Sequence, residues 1–92
     1  MINRTGNKAL LTFYYHAILL AKRDAHRRVS LAKLRGLKKK NTEIVTSWMQ
    51  WADAKRWFTS SLDNGEVVYE LRAEHLDTAP ADIYEQLKKI YT

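Results

Sequence analysis

An Asn-Gly pair between two short segments of alternating apolar residues is the feature that most constrains this fold. Asn64 and Gly65 favour the two consecutive positive-φ positions of a type I′ turn, which joins the strands of a β-hairpin. With these residues as the loop, Leu62 lies opposite Val67, and side chains alternate between two faces. The register gathers the apolar residues of the hairpin on one face, namely Phe58, Leu62, Val67, Tyr69 and Leu71.

Helix signals flank this hairpin on both sides. Ser30 is a good N-cap for a short helix that Gly36 can end, and Asn41 or Thr42 can cap the helix that follows. Pro80 is typical of the first turn of a last helix. We therefore expect residues 1–92 to form a single domain that is mainly α-helical with a small β-hairpin. The predicted segments are a flexible arm over 1–8, helix 1 over 8–25, a helix-turn-helix over 30–54, the hairpin over 57–71 and a C-terminal helix over 79–91.

Charge is distributed unevenly along the chain. Lys and Arg outnumber Asp and Glu by 13 to 3 in residues 1–61, a net charge of +10, and are outnumbered 7 to 3 in residues 62–92, a net charge of −4. Such asymmetry is suited to a polyanion, although Lys and Arg also simply solvate the surface of many small proteins. The position of the positive charge on a helix-turn-helix pattern favours nucleic acid as the partner.

Several kinds of chemistry are disfavoured by the residues present. The chain has no cysteine, so it can form neither a disulfide nor a thiolate metal site. Its three histidines, His16, His26 and His75, show no metal-ligand spacing, and its three glycines form no phosphate-binding loop. We therefore expect no enzyme activity, no cofactor and no metal.

The apolar run from Ala9 to Ala21 invites a targeting interpretation that its flanks do not support. Charged residues follow it where a signal peptide would carry small residues for cleavage. The run is also too short to span a bilayer. We expect a cytoplasmic protein.

The stretch VSLAKLRGLKKKNTEIVTSWMQWADAKRWFTSSLDNGEVVYEL, which begins at Val29 and ends at Leu71, resembles the winged helix-turn-helix superfamily. The resemblance covers about half of the chain and lies in the element order α-α-α-β-β-α. Winged-helix proteins usually lay the third helix in the major groove of DNA, with the wing near the minor groove or the backbone. The resemblance therefore implies base contacts from the third helix by Thr42, Glu43, Thr46, Ser47 and Gln50.

The same resemblance places the wing tip, Asp63, Asn64 and Gly65, near a phosphate or the minor groove. Basic residues around the helix-turn-helix and at the base of the hairpin are expected to hold the DNA backbone, where contacts set orientation without reading sequence. They are Arg27, Arg28, Lys33, Arg35, Lys38, Lys39, Lys40, Lys55 and Arg56.

The function expected from this resemblance is binding of double-stranded DNA by a small transcriptional regulator or a plasmid or phage accessory factor. An alternative of a different class stays open, which is a winged-helix adaptor that binds another protein within a larger complex. The third helix is expected to bury a face around Trp48 and to turn Glu43, Thr46, Gln50 and Asp53 outward. That outward face favours the alternative, because it carries Glu43 and Asp53 with no arginine between them, and arginine makes the commonest specific base contact.

Helix 1 has apolar residues on most of its faces, and the C-terminal helix adds an apolar stripe. Leaving both uncovered would expose a large apolar patch. The two helices therefore either pack on each other within one chain or form a homodimer interface. We favour the homodimer, with interface residues Leu11, Tyr15, Leu19, Ile83, Leu87 and Ile90.

Overall fold

The computed structural model describes residues 8–91, with the side chain of Ala52 excepted. This part of the chain is mainly helical, with a small antiparallel sheet of three strands. The helices are α1 (Lys8–Arg23), α2 (Leu31–Arg35), α3 (Thr42–Gln50) and α4 (Pro80–Tyr91), and the strands are β1 (Arg28–Ser30), β2 (Phe58–Asp63) and β3 (Glu66–Leu71). Short 3₁₀ turns cover Gly36–Lys38, Ala52–Arg56 and Ala73–His75. Apart from Lys8, the predicted flexible arm lies outside the described residues.

The predicted hairpin and its register are confirmed. β2 and β3 pair antiparallel with Leu62 opposite Val67. The loop residues Asn64 and Gly65 have φ values of 53° and 81°, which are the two left-handed positions of a type I′ turn. Most of the predicted apolar face is buried or half-buried, but Leu62 beside the tip is 73% exposed.

The sheet contains a third strand, β1, where the sequence predicted only a two-stranded hairpin. The strand order is β1-β3-β2, and Arg28 of β1 lies opposite Glu70 of β3. β1 is only three residues long and its partner is distant in the sequence, so no local periodicity indicates it. α2 follows directly, and its predicted N-cap is confirmed, since the Ser30 hydroxyl oxygen accepts a hydrogen bond from the backbone N–H of Lys33 at 3.1 Å.

α1 is the central support of the core. Its buried residues include Leu10, Tyr14, Ala17, Ile18 and Ala21, all without solvent exposure. Tyr14 contacts two other helices: its ring centroid lies 5.7 Å from that of Tyr91 in α4, and its hydroxyl donates to the carbonyl oxygen of Trp48 in α3 at 2.6 Å. The positions of α3 and α4 are therefore both set by α1.

α4 covers α1 within a single chain, which removes the main argument for the predicted homodimer interface. Leu11, Ile83 and Leu87 are buried in the core of the protomer. They therefore offer no surface to a second copy. The remaining three predicted interface residues are half-buried, and they are Tyr15, Leu19 and Ile90.

α3 is shorter than predicted, because it ends at Gln50 rather than near Ala54. The backbone of Trp51 is extended, with φ −66° and ψ 151°. The chain then turns, so Asp53 leaves the solvent side predicted for it and is only 7% exposed. Its carboxylate accepts a hydrogen bond from the hydroxyl of Tyr91 at 3.0 Å. This bond joins the last residue of α4 to the segment that follows α3.

Candidate nucleic-acid interface

α3 has a buried face and an exposed face at the spacing that a helix requires. The buried face consists of Val45, Trp48 and Met49. Glu43, Ser47 and Gln50 are spaced four and three residues apart on the opposite side, and all three are exposed. We call these three residues the α3 stripe. The structure thus brings three of the five predicted base-contact residues onto one solvent-facing line.

The other two predicted base-contact residues lie at the flank of α3. Thr42 and Thr46 are both half-buried. The hydroxyl oxygen of Thr42 accepts a hydrogen bond from Nη2 of Arg35 at 3.2 Å. Thr42 is therefore engaged within the chain, whereas the α3 stripe presents a carboxylate, a hydroxyl and an amide to an outside partner.

Trp48 fixes the rotation of α3 about its own axis. Its side chain is 3% exposed, and its ring centroid lies 5.2 Å from that of Phe13 in α1. The ammonium nitrogen of Lys38 lies over the same ring, 5.8 Å from the centroid. Because the Trp48 ring is buried against α1, the α3 stripe on the opposite side of the helix faces solvent in a defined direction.

Four basic residues gather directly before the N-terminus of α3. They are Arg35, Lys38, Lys39 and Lys40, which we call the α3 basic cluster. Arg35 is tied to the first residue of α3 by its bond to Thr42. The backbone N–H of Asn41 donates to the Lys38 carbonyl oxygen at 3.0 Å, and the Asn41 side chain accepts from the N–H of Ile44 at 3.3 Å. The lysines are thus attached to the helix start by a short, hydrogen-bonded turn.

The start of α3 is consequently the most favourable place on this segment for an anion. The N-terminus of a helix carries a partial positive charge of roughly half an elementary charge. The α3 basic cluster adds four formal charges in the seven residues that precede α3, against one acidic residue in its first turn, Glu43. Phosphate groups are the anions that such an arrangement suits best.

Two of the predicted phosphate contacts are engaged in the fold instead. Nη1 of Arg27 donates to the carbonyl oxygens of Lys22 and Asp24 at 2.7 and 3.0 Å, at the end of α1. Nε of Arg28 lies 3.3 Å from Oε1 of Glu70, its partner across the sheet. Arg28 contributes less positive potential than the sequence count indicates, because it is paired with a carboxylate. Arg27 keeps its charge, but its guanidinium group is held at the end of α1.

The turn between α1 and β1 explains why α1 ends at Arg23 rather than at the predicted Ala25. The backbone N–H groups of His26 and Arg28 donate to the carboxylate of Asp24 at 2.9 and 3.2 Å. These two bonds hold the pKa of Asp24 below its ordinary value of 3.8. A short polar turn thus replaces the last turn of the predicted helix.

Lys22 is a structural residue that sequence reasoning did not identify. Its ammonium group donates to three carbonyl oxygens, those of His75, Leu76 and Thr78, at 3.2, 3.0 and 2.8 Å. It therefore holds the segment between β3 and α4 against α1. The sequence offers no signal for this role, since the three acceptors are backbone groups distant in the chain.

The remaining predicted phosphate contacts lie on two separate segments. Lys33 is exposed on α2, the helix that precedes the α3 basic cluster. Lys55 and Arg56 are exposed in the turn before β2. The carbonyl oxygens of that turn are fixed, because Nε of Arg72 donates to the carbonyl of Lys55 and Nε2 of His75 lies 2.8 Å from that of Arg56.

The predicted wing tip is acidic and apolar rather than basic. Asp63 lies directly opposite Glu66 where the two strands meet the loop. Like charges at facing positions repel each other and repel phosphate. With Leu62 exposed beside them, these residues make the tip a poor match for the DNA backbone.

Among residues 8–91, no group of three His, Asp or Glu side chains is arranged to hold a metal ion. No enclosed pocket of ligand size occurs in the same range. None of the helices that the structure describes has the length and apolarity needed to cross a membrane.

Comparison of the chain with protein-family models, with curated proteins and with solved structures finds no match.

Proposed function

We propose that this chain is a winged helix-turn-helix protein that binds double-stranded DNA as a transcriptional regulator or a plasmid or phage accessory factor. The element order supports the proposed architecture, since α2 and α3 are followed by the β2-β3 hairpin. In this architecture α3 enters the major groove and the hairpin is the wing. α1 packs behind α3, and α4 packs on α1.

The observation that carries the proposal is the position of the α3 basic cluster beside the α3 stripe. Phosphates flank each groove of DNA, so cations beside a reading helix can hold the backbone while polar residues on the outer face of the helix contact base edges. The chain has this division, because the lysines precede the helix and the stripe is formed by Glu43, Ser47 and Gln50. Gln suits adenine, Glu can accept from cytosine, and Ser can bond with several base edges.

Salt dependence of binding to a duplex tests the proposal. Each phosphate that the protein neutralises contributes about −0.9 to the slope of log K against log salt, and we expect roughly four to seven phosphates per protomer. Fluorescence anisotropy with a labelled duplex of random sequence, measured across a series of salt concentrations, gives this slope. A slope near zero would contradict DNA binding.

Two double variants distinguish binding through the α3 basic cluster from binding through the net charge of the protein. Lys39→Ala with Lys40→Ala removes two exposed charges at the start of α3, and the magnitude of the slope should fall by roughly two. Lys88→Ala with Lys89→Ala removes the same charge from α4 and should leave the slope nearly unchanged. If the two pairs lower affinity equally, the interaction is with net charge and not with this site.

The acidic features of the surface favour one rival, a winged-helix adaptor that binds another protein. Glu43 on the α3 stripe and the pair of Asp63 with Glu66 at the hairpin tip suit a basic protein partner better than DNA. An adaptor would show weak DNA binding and no difference between the two pairs of lysine variants. The same titrations therefore decide between the two functions.

A further inference from the structure

Asn64 at the hairpin tip has the sequence context in which an asparagine side chain most readily reacts with the backbone. Of the four asparagines in the chain, only Asn64 is followed by glycine. Glycine has no side chain that would obstruct an approach to its backbone nitrogen. The space around Gly65 is also open, because a Cβ atom added there would meet nothing within 4 Å. Asn64 and Gly65 are both exposed to water.

The backbone N–H of Gly65 takes no part in the pairing of the strands. Asp63 and Glu66 are the last facing pair before the loop. The backbone N–H of Arg72 donates to the carbonyl oxygen of Trp57 at 2.9 Å. Because bonding alternates along an antiparallel strand, Asp63 also belongs to a hydrogen-bonded pair. The strand bonds therefore end at Asp63 and Glu66, and the nitrogen of Gly65 in the loop faces solvent.

The tip can open without loss of buried contacts. The residues from Ser61 to Glu66 are all exposed, and Leu62 among them is 73% exposed. Asp63 and Glu66 face each other across the strands, and like charges at facing positions are destabilising. Segments with few buried contacts open locally at a free energy far below that of global unfolding. Asn64 therefore spends part of its time outside the tight turn.

We propose that Asn64 is a site of spontaneous deamidation. When the tip opens, the backbone of Asn64 rotates so that the deprotonated nitrogen of Gly65 attacks Cγ of Asn64. A bond forms between this nitrogen and Cγ, and the bond from Cγ to the side-chain nitrogen breaks. The side-chain nitrogen leaves as ammonia, with the proton that Gly65 gave up to water. Water then opens the cyclic succinimide, so the complete reaction consumes a water molecule, releases ammonia and involves no change of oxidation state.

The two products of ring opening change the tip in different ways. If water attacks the side-chain carbonyl of the ring, Asn64 becomes an aspartate beside the acidic Asp63 and Glu66. If water attacks the main-chain carbonyl, the main chain continues through the former side chain as a β-aspartyl link with an additional carbon atom. A type I′ loop requires two residues of ordinary backbone. Either product therefore adds a negative charge, and the β-aspartyl product also prevents the turn from forming again.

Peptide mapping by mass spectrometry tests the site in the folded chain. The protein is kept at mildly alkaline pH and physiological temperature, in buffer and in parallel in concentrated urea. The peptide that carries Asn64 should change from amide to acid mass, at a rate in buffer within about tenfold of that in urea. Asn41, which is exposed and followed by Thr42, is the control in the same chain and should stay intact. A larger protection of Asn64 in buffer, or equal reaction of Asn41, overturns the proposal.

Two variants separate the attack on Asn64 from the opening of the tip. Gly65→Ala places a methyl group beside the attacking nitrogen and should slow the reaction severalfold in urea, where the fold has no influence. Glu66→Lys replaces the repulsion of Asp63 by attraction, so the reaction in buffer should slow by about two- to tenfold, with the rate in urea close to that of the wild type. An unchanged rate of Gly65→Ala in urea contradicts attack by this nitrogen, and an unchanged rate of Glu66→Lys in buffer contradicts the opening step.

Discussion

Tyr91→Phe should destabilise this protein well beyond what the loss of one hydroxyl on the surface does. The hydroxyl donates to the carboxylate of Asp53 at 3.0 Å, and both residues are buried. Hydrogen bonds to charged groups contribute about 1.5–3 kcal/mol, and phenylalanine keeps the ring contact with Tyr14, so no cavity adds to the cost. A domain of this size loses about 4–8 °C in melting temperature per kcal/mol. We expect the melting temperature of Tyr91→Phe to fall by roughly 6–24 °C.

Thermal melts followed by circular dichroism at pH 7 measure this change, and Tyr84→Phe is the matched control. Tyr84 lies on the same helix but is 39% exposed, so its variant should melt within about 2 °C of the wild type. The double variant with Asp53→Asn should show coupling of at least 0.5 kcal/mol between the two positions. Melting of Tyr91→Phe at the wild-type temperature would refute the reasoning, because it would mean that the bond does not hold α4 to the segment after α3.

Three further predictions concern pH, the turn and base preference. Burial raises the pKa of Tyr69, and burial together with the bond to Asp53 raises that of Tyr91, above the ordinary value of 10.0. Since the unfolded chain then ionises first, the free energy of unfolding should be constant from neutral pH to about pH 10 and fall above it in urea titrations. Gly65→Ala should lower the free energy of unfolding by about 1 kcal/mol, because φ is 81° at this position. Gly36→Ala should raise it by about 0.4–1 kcal/mol, because φ is −64° and no atom lies where the new methyl group would be. The urea midpoints of the two variants should therefore shift in opposite directions. If the proposed function holds, Gln50→Ala should change base preference at one position by about 1–3 kcal/mol with stability unchanged, as competition among duplexes would show.

The hairpin could be predicted because every signal for it is local. The turn residues are adjacent, the register follows from the loop length, and the alternation of apolar residues agrees with both. β1 could not be predicted in this way, since three residues carry no measurable period and their strand character comes from pairing with β3. The same reason hides the role of Lys22, whose three acceptors are backbone carbonyls after β3.

The candidate interface was predicted in part for a similar reason. Helical spacing identified the buried Trp48 and the exposed Gln50 correctly. It failed at Asp53, because the spacing of apolar residues continues through Trp51 although the backbone there turns away. Polar residues past such a turn acquire partners that the helix pattern cannot indicate, here the hydroxyl of Tyr91. The apolar pattern also left the contact between α1 and α4 ambiguous. An apolar stripe must be buried, but the pattern does not indicate whether a helix of the same chain or of a second copy buries it.

The separation of charge from the α3 stripe makes affinity and sequence preference physically independent in the proposed function. Lys39 and Lys40 lie before the helix, so their removal should weaken binding to every duplex alike, through counterion release. Gln50 lies at the far end of the stripe and faces solvent, so its removal should alter the ranking of duplexes and hardly the salt slope. Affinity and sequence preference can therefore be changed separately, which allows the cause of any measured loss of binding to be assigned to the α3 basic cluster or to the α3 stripe.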